Sequence, residues 1–137
     1  MSNARKTPAG NAYRTGYLRS RAWFARRDRY FAGAGDERRR CAVCGRPEEN
    51  PKRALELHHV SYRGVSQRPD GTWVAGEADA DLIPMHPLCH EQVHRVIDAD
   101  QALRSLVSRQ EATRRAIRVV RRRLIDLLNA EIEGDRT

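Results

Sequence analysis

The sequence lacks the features of membrane and secreted proteins. No apolar run approaches the roughly 18 residues that a membrane span requires. The first ten residues are polar and basic, without the apolar centre of a signal peptide. Three cysteines are an odd number and do not supply the pairs of a disulfide framework. These absences predict a non-secreted, cytoplasmic protein that keeps its thiols reduced.

Lysine is almost missing from a strongly basic chain. Arginine supplies nearly all of the positive charge, and the 137 residues carry a net charge of +8. Residues 1–40 hold eleven Lys and Arg against three acidic residues, whereas residues 41–137 hold fifteen of each sign. A concentrated positive region favours a polyanion such as nucleic acid, although a solvated basic tail has the same composition.

The spacing of apolar residues predicts a mixed α+β domain with helices at both ends. Residues 1–16 have no periodicity and read as a disordered basic arm. Ser20 is a suitable N-cap for a helix that reaches about Phe31, with its aromatic side chains in the core and its arginines on the surface. Residues 101–133 contain neither Gly nor Pro, which predicts one long helix or two with a bend near Ser108.

Two short strands are predicted between these helical ends, at residues 55–62 and 81–85. Residues 63–80 are rich in Gly, Asp and Pro and are interpreted as an irregular loop with a small turn at 69–71. Pro87 suits the first turn of a helix that extends to about residue 97. Adjacent residues of a strand face opposite sides, so His58 and His59 cannot do the same task in a regular strand.

All three cysteines and all five histidines lie between residues 41 and 94. Cys and His are the side chains that bind transition metals. A structural zinc ion takes four ligands, usually as two closely spaced pairs. The first pair is Cys41 and Cys44, and the second is Cys89 with His86, three residues before it.

Four histidines remain once these ligands are assigned. His90 and His94 are four residues apart and share one face of the predicted helix. An alternative stays open, because His86, His90 and His94 are also spaced by four and would align on a continuous helix. Pro87 argues against that alternative by placing the helix start after His86.

The combined pattern resembles the HNH endonuclease family, also called His-Me finger nucleases. The matching residues are Cys41-x-x-Cys44-Gly45, Leu55-Glu-Leu-His58-His59-Val-Ser-Tyr62, Asp81-Leu-Ile-Pro84 and Cys89-His90-x-x-x-His94. Residues 17–23 are also similar to the helix that precedes the zinc knuckle in small bacterial and phage members. The resemblance covers about residues 17–97 and implies a small ββα-metal finger with a zinc knuckle, flanked by an N-terminal helix and by a C-terminal helical extension at 98–133.

The resemblance implies a metal-dependent DNA endonuclease that leaves 5′-phosphate and 3′-hydroxyl ends. His59 corresponds to the general base of the family, and His58, His90 and His94 correspond to the ligands of one catalytic divalent metal (Mg²⁺, Mn²⁺, Ni²⁺ or Zn²⁺). Asp81 stands where the family has Asn, and an ionised carboxylate accepts hydrogen bonds but cannot donate them. The expected nucleic-acid contacts are Arg26, Arg27 and Arg29 on the basic helix and Arg63, just past His59.

Two other functions fit the same sequence. A non-catalytic zinc-containing module that binds DNA would need only the four zinc ligands, and Asp81 is the feature in its favour. A helical interaction protein, with residues 100–132 as a homodimer or partner surface, would account for the apolar stripe of Ile117, Val120, Leu124 and Leu127. Packing of that helix on the finger explains the same stripe.

Overall fold

The computed structural model describes residues 15–33, 35–48 and 54–135 as a mixed α+β arrangement of short antiparallel sheets and helices. Its helices are α1 (Arg21–Ala32), α2 (Pro87–Ala99), α3 (Gln101–Ser105) and α4 (Arg109–Asp135). Its strands are β1 (Glu56–His59), β2 (Val65–Gln67), β3 (Trp73–Ala75) and β4 (Leu82–Met85). Short 3₁₀ turns occupy Asp36–Arg39 and Asp79–Asp81. Within the described ranges, no helix is both long and apolar enough to cross a membrane.

The N-terminal helix begins as its sequence predicts. The hydroxyl of Ser20 accepts a hydrogen bond from the backbone N–H of Trp23 at 3.2 Å, which caps the first turn of α1. Trp23 and Tyr30 are buried, as expected for one face of this helix, whereas Phe24 is 48% exposed. Most of the predicted basic arm lies outside the described residues, and residues 15–18 form a helical turn before α1.

A two-stranded sheet of β1 and β4 lies at the centre of the domain. The strands pair antiparallel, with Glu56 opposite Met85 and His59 opposite Leu82. One apolar cluster covers the first face of this sheet with the cysteine loop, α2 and α4: Cys41, Val43, Leu55, Met85, Val93, Ala116 and Val120. A second cluster covers the other face with α1: Tyr17, Trp23, Tyr30, Leu57 and Leu82. Because both faces are covered, His58 and His59 are both buried although they point in opposite directions.

The prediction of an irregular loop over residues 63–80 is wrong. This segment forms a hairpin in which β2 pairs with β3, Val65 opposite Ala75 and Gln67 opposite Trp73. The turn expected at 69–71 is confirmed, since the N–H of Gly71 donates to the carbonyl of Arg68 at 2.9 Å. Strands of three residues are too short for an alternation of apolar and polar side chains to reveal them.

The C-terminal helical segment is divided into α3 and α4, with the break at residues 106–108. Asp100 caps α3 by accepting from the N–H groups of Ala102 and Leu103. The first half of α4 packs on α2 and contacts the sheet through the cluster of Met85, Ala116 and Val120 and through Thr113, and it buries Ala112, Thr113, Ala116 and Val120. This helix is therefore part of the same folded unit as the metal-binding residues.

Candidate metal centres

The first cluster of metal-binding side chains joins the loop before β1 to the start of α2. Its ligand atoms, three sulfurs and one imidazole nitrogen, all lie within 4.8 Å of one another. The members are Cys41, Cys44, His86 and Cys89. Gly45 closes the loop with φ 74°, a conformation that glycine adopts readily, and its N–H donates to the carbonyl of Cys41 at 2.9 Å.

His86 is held between this cluster and the neighbouring backbone. Its Nδ1 lies 3.2 Å from the sulfur of Cys44, and its Nε2 lies 3.2 Å from the carbonyl oxygen of Pro47. An outer hydrogen bond of this kind fixes the tautomer of a metal-binding imidazole: Nε2 carries the proton, and Nδ1 keeps the lone pair that can bind the metal. His86 has extended backbone angles and α2 begins at Pro87. The alternative in which His86 joins a helical row of histidines is therefore wrong.

The acidities of the thiols fit a cation site. Burial opposes ionisation of Cys41, but backbone N–H groups of Cys44 and His86 outweigh it and lower the pKa of that thiol. Burial, followed by the proximity of Cys41, raises the pKa of Cys89 to about 12. A cation among the sulfurs offsets this penalty, because the thiolate is the form that binds metal. Three sulfurs with one imidazole nitrogen are a donor set of structural zinc sites, so the cluster can hold a structural metal such as zinc.

The second cluster is a histidine trio, formed by His58 on β1 with His90 and His94 on α2. Nε2 of His90 lies 3.2 Å from Nδ1 of His58 and 3.0 Å from Nε2 of His94. Histidines four residues apart on a helix face the same way, which brings the last two side by side. His58 lies on β1, which is held in place by its antiparallel pairing with β4. Three imidazoles therefore present one nitrogen each to a common point.

The outer nitrogens of two trio members have partners of their own. Nδ1 of His90 lies 2.7 Å from a carboxylate oxygen of Glu56, and Nε2 of His58 lies 2.9 Å from the hydroxyl oxygen of Thr113 on α4. Burial, and then the nearby Arg109 guanidinium, lower the pKa of His58 to about 2. That ring is consequently neutral at physiological pH, which is the form that binds a metal. The donor set fits a divalent transition metal.

His59 lies on the opposite side of β1, in an aromatic surrounding. Its ring stacks on Tyr62 with centroids 4.2 Å apart and an interplanar angle of 7°, and the Trp23 ring lies 4.6 Å away. Its Nε2 is 2.8 Å from a carboxylate oxygen of Glu77, and the residue is 3% exposed. If Nε2 donates its proton to that carboxylate, Nδ1 is left as the basic nitrogen.

The sequence did not single out Glu77, although it is one of the few buried charged side chains among the described residues. It is 4% exposed, and the hydroxyl of Tyr17 donates to the same oxygen that faces His59, at 2.6 Å. Burial alone would raise the pKa of Glu77, but the hydrogen bonds from His59 and Tyr17 outweigh it and hold this pKa below its usual value. Only the hairpin reveals the residue, because Glu77 lies two residues after the end of β3 at Ala75.

The expected DNA contacts separate into buried and exposed residues. Arg26 is 7% exposed and donates to the carbonyl of Glu77 and to the carboxylate of Asp79. The prediction that it projects from the surface of α1 is wrong, because its guanidinium anchors the loop after β3. Arg29 and Arg63 are exposed, and Arg27 is half-buried.

Asp81 contributes its backbone to the connection between the two central strands. Its carbonyl accepts from the N–H of Val60 at 2.9 Å, and its own N–H donates to the carbonyl of Ala78 at 3.0 Å. These bonds join the end of β1 to the 3₁₀ turn before β4. The position is therefore one that fixes the segment following His59, whichever side chain it carries.

No family model, no curated protein and no solved structure matches this chain.

Proposed function

We propose that this chain is a metal-dependent DNA endonuclease of the HNH, or His-Me finger, type. The observation that carries the proposal is the histidine trio of His58, His90 and His94, with nitrogen atoms 3.0 and 3.2 Å apart and with His59 next to it in the chain. A structural zinc site accounts for the cysteine cluster. The trio is a second group of metal-binding side chains, which a protein with only a structural zinc does not need. Two antiparallel strands followed by α2 have the order of a ββα finger.

In the proposed reaction His59 is the general base. Its Nε2 is engaged by Glu77, so Nδ1 takes a proton from water while the water oxygen attacks the phosphorus of a DNA phosphodiester. The 3′ oxygen departs and the product ends are a 5′ phosphate and a 3′ hydroxyl. A divalent metal held by the trio would supply electrostatic stabilisation to the charge that develops on the phosphate. Asp81 belongs to the connection that fixes the end of β1.

The basic surface supplies the affinity for DNA in this proposal. Arg29 on α1 and Arg63 after β1 are exposed, and both belong to segments that supply an aromatic ring next to His59, namely Trp23 and Tyr62. Arginine binds phosphate oxygens through a planar fork of N–H donors, which favours contact with the DNA backbone rather than reading of sequence.

One observation favours the alternative of a non-catalytic zinc-containing DNA-binding module. The His59 side chain is 3% exposed, so water and phosphate reach it only if a covering side chain such as Tyr62 moves. A module that binds DNA without cutting it would not require this access.

Cleavage of supercoiled plasmid separates the two functions. Wild type, His59→Ala and His90→Ala are each incubated with EDTA, Mg²⁺, Mn²⁺, Ni²⁺ or Zn²⁺. The endonuclease predicts metal-dependent nicking or linearisation by wild type alone, with DNA binding retained in both variants. Wild type that binds DNA but cuts in no metal would establish the binding module instead. His59→Ala protein that cuts at the wild-type rate would refute the base assignment.

A further inference from the structure

The carboxylate of Glu77 is bound in a way that stability alone does not explain. It is 4% exposed and contacts the side chains of Tyr17 and His59, and burying a charge is costly unless its oxygens are satisfied. Both of its hydrogen bonds converge on one oxygen, Oε2, from Tyr17 and from His59. The other oxygen, Oε1, is buried without a hydrogen-bond partner among the described residues. A group kept only for packing would be better replaced by an apolar side chain.

The backbone around Glu77 is built to hold the side chain in one place. Gly64 and Gly76 approach so closely that a Cβ atom on either would collide with the carbonyl group of the other, and the N–H of Gly76 donates to the carbonyl of Gly64 at 3.0 Å. The buried guanidinium of Arg26 donates twice to the Glu77 carbonyl, from Nε at 3.2 Å and from Nη2 at 2.9 Å. The loop is thus fixed on both sides of the residue.

We propose that Glu77 is a positioning residue for His59, with Tyr17 as its supporting donor. The carboxylate accepts the Nε2 proton of His59 and so selects the tautomer whose unprotonated nitrogen is Nδ1. The bond also fixes the ring plane between Tyr62 and Trp23. Tyr17, by donating to the same oxygen, keeps the carboxylate oriented toward the imidazole. This role rests on the proposed function, because it assigns Nδ1 as the atom that accepts the proton from water.

The substitution that tests the proposal is Glu77→Gln, which keeps the shape of the side chain and removes its charge. An amide can donate as well as accept, so it permits the tautomer with the proton on Nδ1. That tautomer has no lone pair at the reacting position. Two further variants serve as comparisons. Tyr17→Phe leaves the hydrogen bond between His59 and Glu77 in place. Asp70→Asn changes an exposed carboxylate at the tip of the β2–β3 hairpin.

The first measurement is the nitrogen-15 spectrum of the His59 ring in zinc-loaded wild-type protein at pH 8. We expect a pyrrole-like Nε2 and a pyridine-like Nδ1 in wild type, Tyr17→Phe and Asp70→Asn. In Glu77→Gln we expect the Nδ1 signal to shift toward the pyrrole-like position. An unchanged His59 tautomer in Glu77→Gln, or a protonated Nδ1 in wild type, would overturn the proposal.

The second measurement is the rate of plasmid nicking. We expect Glu77→Gln to lower kcat by about 100-fold or more with little change in KM, the range for loss of general-base function. Tyr17→Phe should lose less, and Asp70→Asn should match wild type. A kcat within threefold of wild type for Glu77→Gln would contradict the positioning role. The tautomer measurement does not depend on cleavage, so wild type without nuclease activity would refute the proposed function while the spectrum still decides the role of Glu77 toward His59.

Discussion

The hydroxyl oxygen of Thr113 lies 2.9 Å from Nε2 of His58, so the C-terminal helix holds a ring of the histidine trio from outside. Arg109, in the first turn of the same helix, makes a second hydrogen bond to this strand: its Nε donates to the carbonyl of His59 at 2.7 Å. The start of α4 thus fixes the strand that carries both histidines. This helix is part of the candidate site rather than an appendage to it.

Removing the hydroxyl of Thr113 should weaken metal binding by the trio without unfolding the protein. Thr113→Val conserves the shape of a fully buried side chain but leaves the Nε2 proton of His58 without an acceptor. Outer partners of metal-bound histidine typically contribute 10- to 100-fold in affinity, and we expect about a 10-fold rise in Kd for Ni²⁺ measured by calorimetry. Thr113→Ser is the control, because it keeps the hydroxyl. Equal Kd values for the two variants would show that the contact does not support the metal.

The cysteine cluster should stabilise the fold through its metal. Cys41→Ala removes a buried ligand, and the free energy of zinc binding is also free energy of folding. We therefore expect loss of helical circular dichroism and of bound zinc. His90→Ala removes a ligand of the other cluster and should leave the fold and one equivalent of zinc in place. Folded Cys41→Ala protein without zinc would show that the apolar clusters suffice.

The buried His58 should make the fold less stable in mild acid. Its pKa is lowered from 6.5 to about 2 in the folded protein, so between these values the unfolded chain binds a proton that the folded chain does not. Above about pH 6.5 this group does not lower the free energy of unfolding. Below about pH 6.5 it lowers that free energy, by at most about 1.4 kcal/mol per pH unit. Urea unfolding at pH 7.5 and 5.5 measures the loss. His58→Gln is the control, because proton uptake by the cysteine cluster occurs in it as in wild type. Equal losses of unfolding free energy in the two proteins would contradict the assignment of the loss to His58.

Arginines near α1 should differ in their effects according to their burial. Arg26→Gln breaks a buried interaction with Glu77 and Asp79 and should cost about 2 kcal/mol of unfolding free energy, as for other buried hydrogen bonds to charged groups. It should leave the salt dependence of DNA binding unchanged once the protein is folded. Urea unfolding and binding titrations at several salt concentrations measure the two effects.

Substituting the half-buried Arg27 together with the exposed Arg29 and Arg63 should produce the opposite result. Replacing Arg27, Arg29 and Arg63 with Gln together should leave stability near wild type and reduce the slope of log K against log salt by about two to three, since each phosphate contact contributes about 0.9. Arg122→Gln on the exposed end of α4 is the control. A slope that changes for the control and not for the triple variant would place the DNA on α4.

Much of the site was accessible from local sequence. The C-x-x-C pair, the N-cap at Ser20 and the helix start at Pro87 are set by interactions within a few residues, so their spacing predicts them. The same applies to His90 and His94, which are neighbours on any helix. The alternation of a strand also predicted that His58 and His59 face opposite sides, and their contacts confirm it.

The tertiary structure decided which distant residues contact the locally predicted side chains. The sequence by itself predicted the four ligands of the cysteine cluster, because Cys and His are few and were crowded into one segment, whereas the histidine trio was implied by the family resemblance and the structure decided against a row formed by His86, His90 and His94. It did not determine the partners of Glu77 or Thr113, 18 and 55 residues from the histidines that they contact. It also placed Arg26 on the surface, where the fold buries it. Such contacts depend on how elements pack, and packing is set by the sum of many weak interactions across the whole chain rather than by spacing along it.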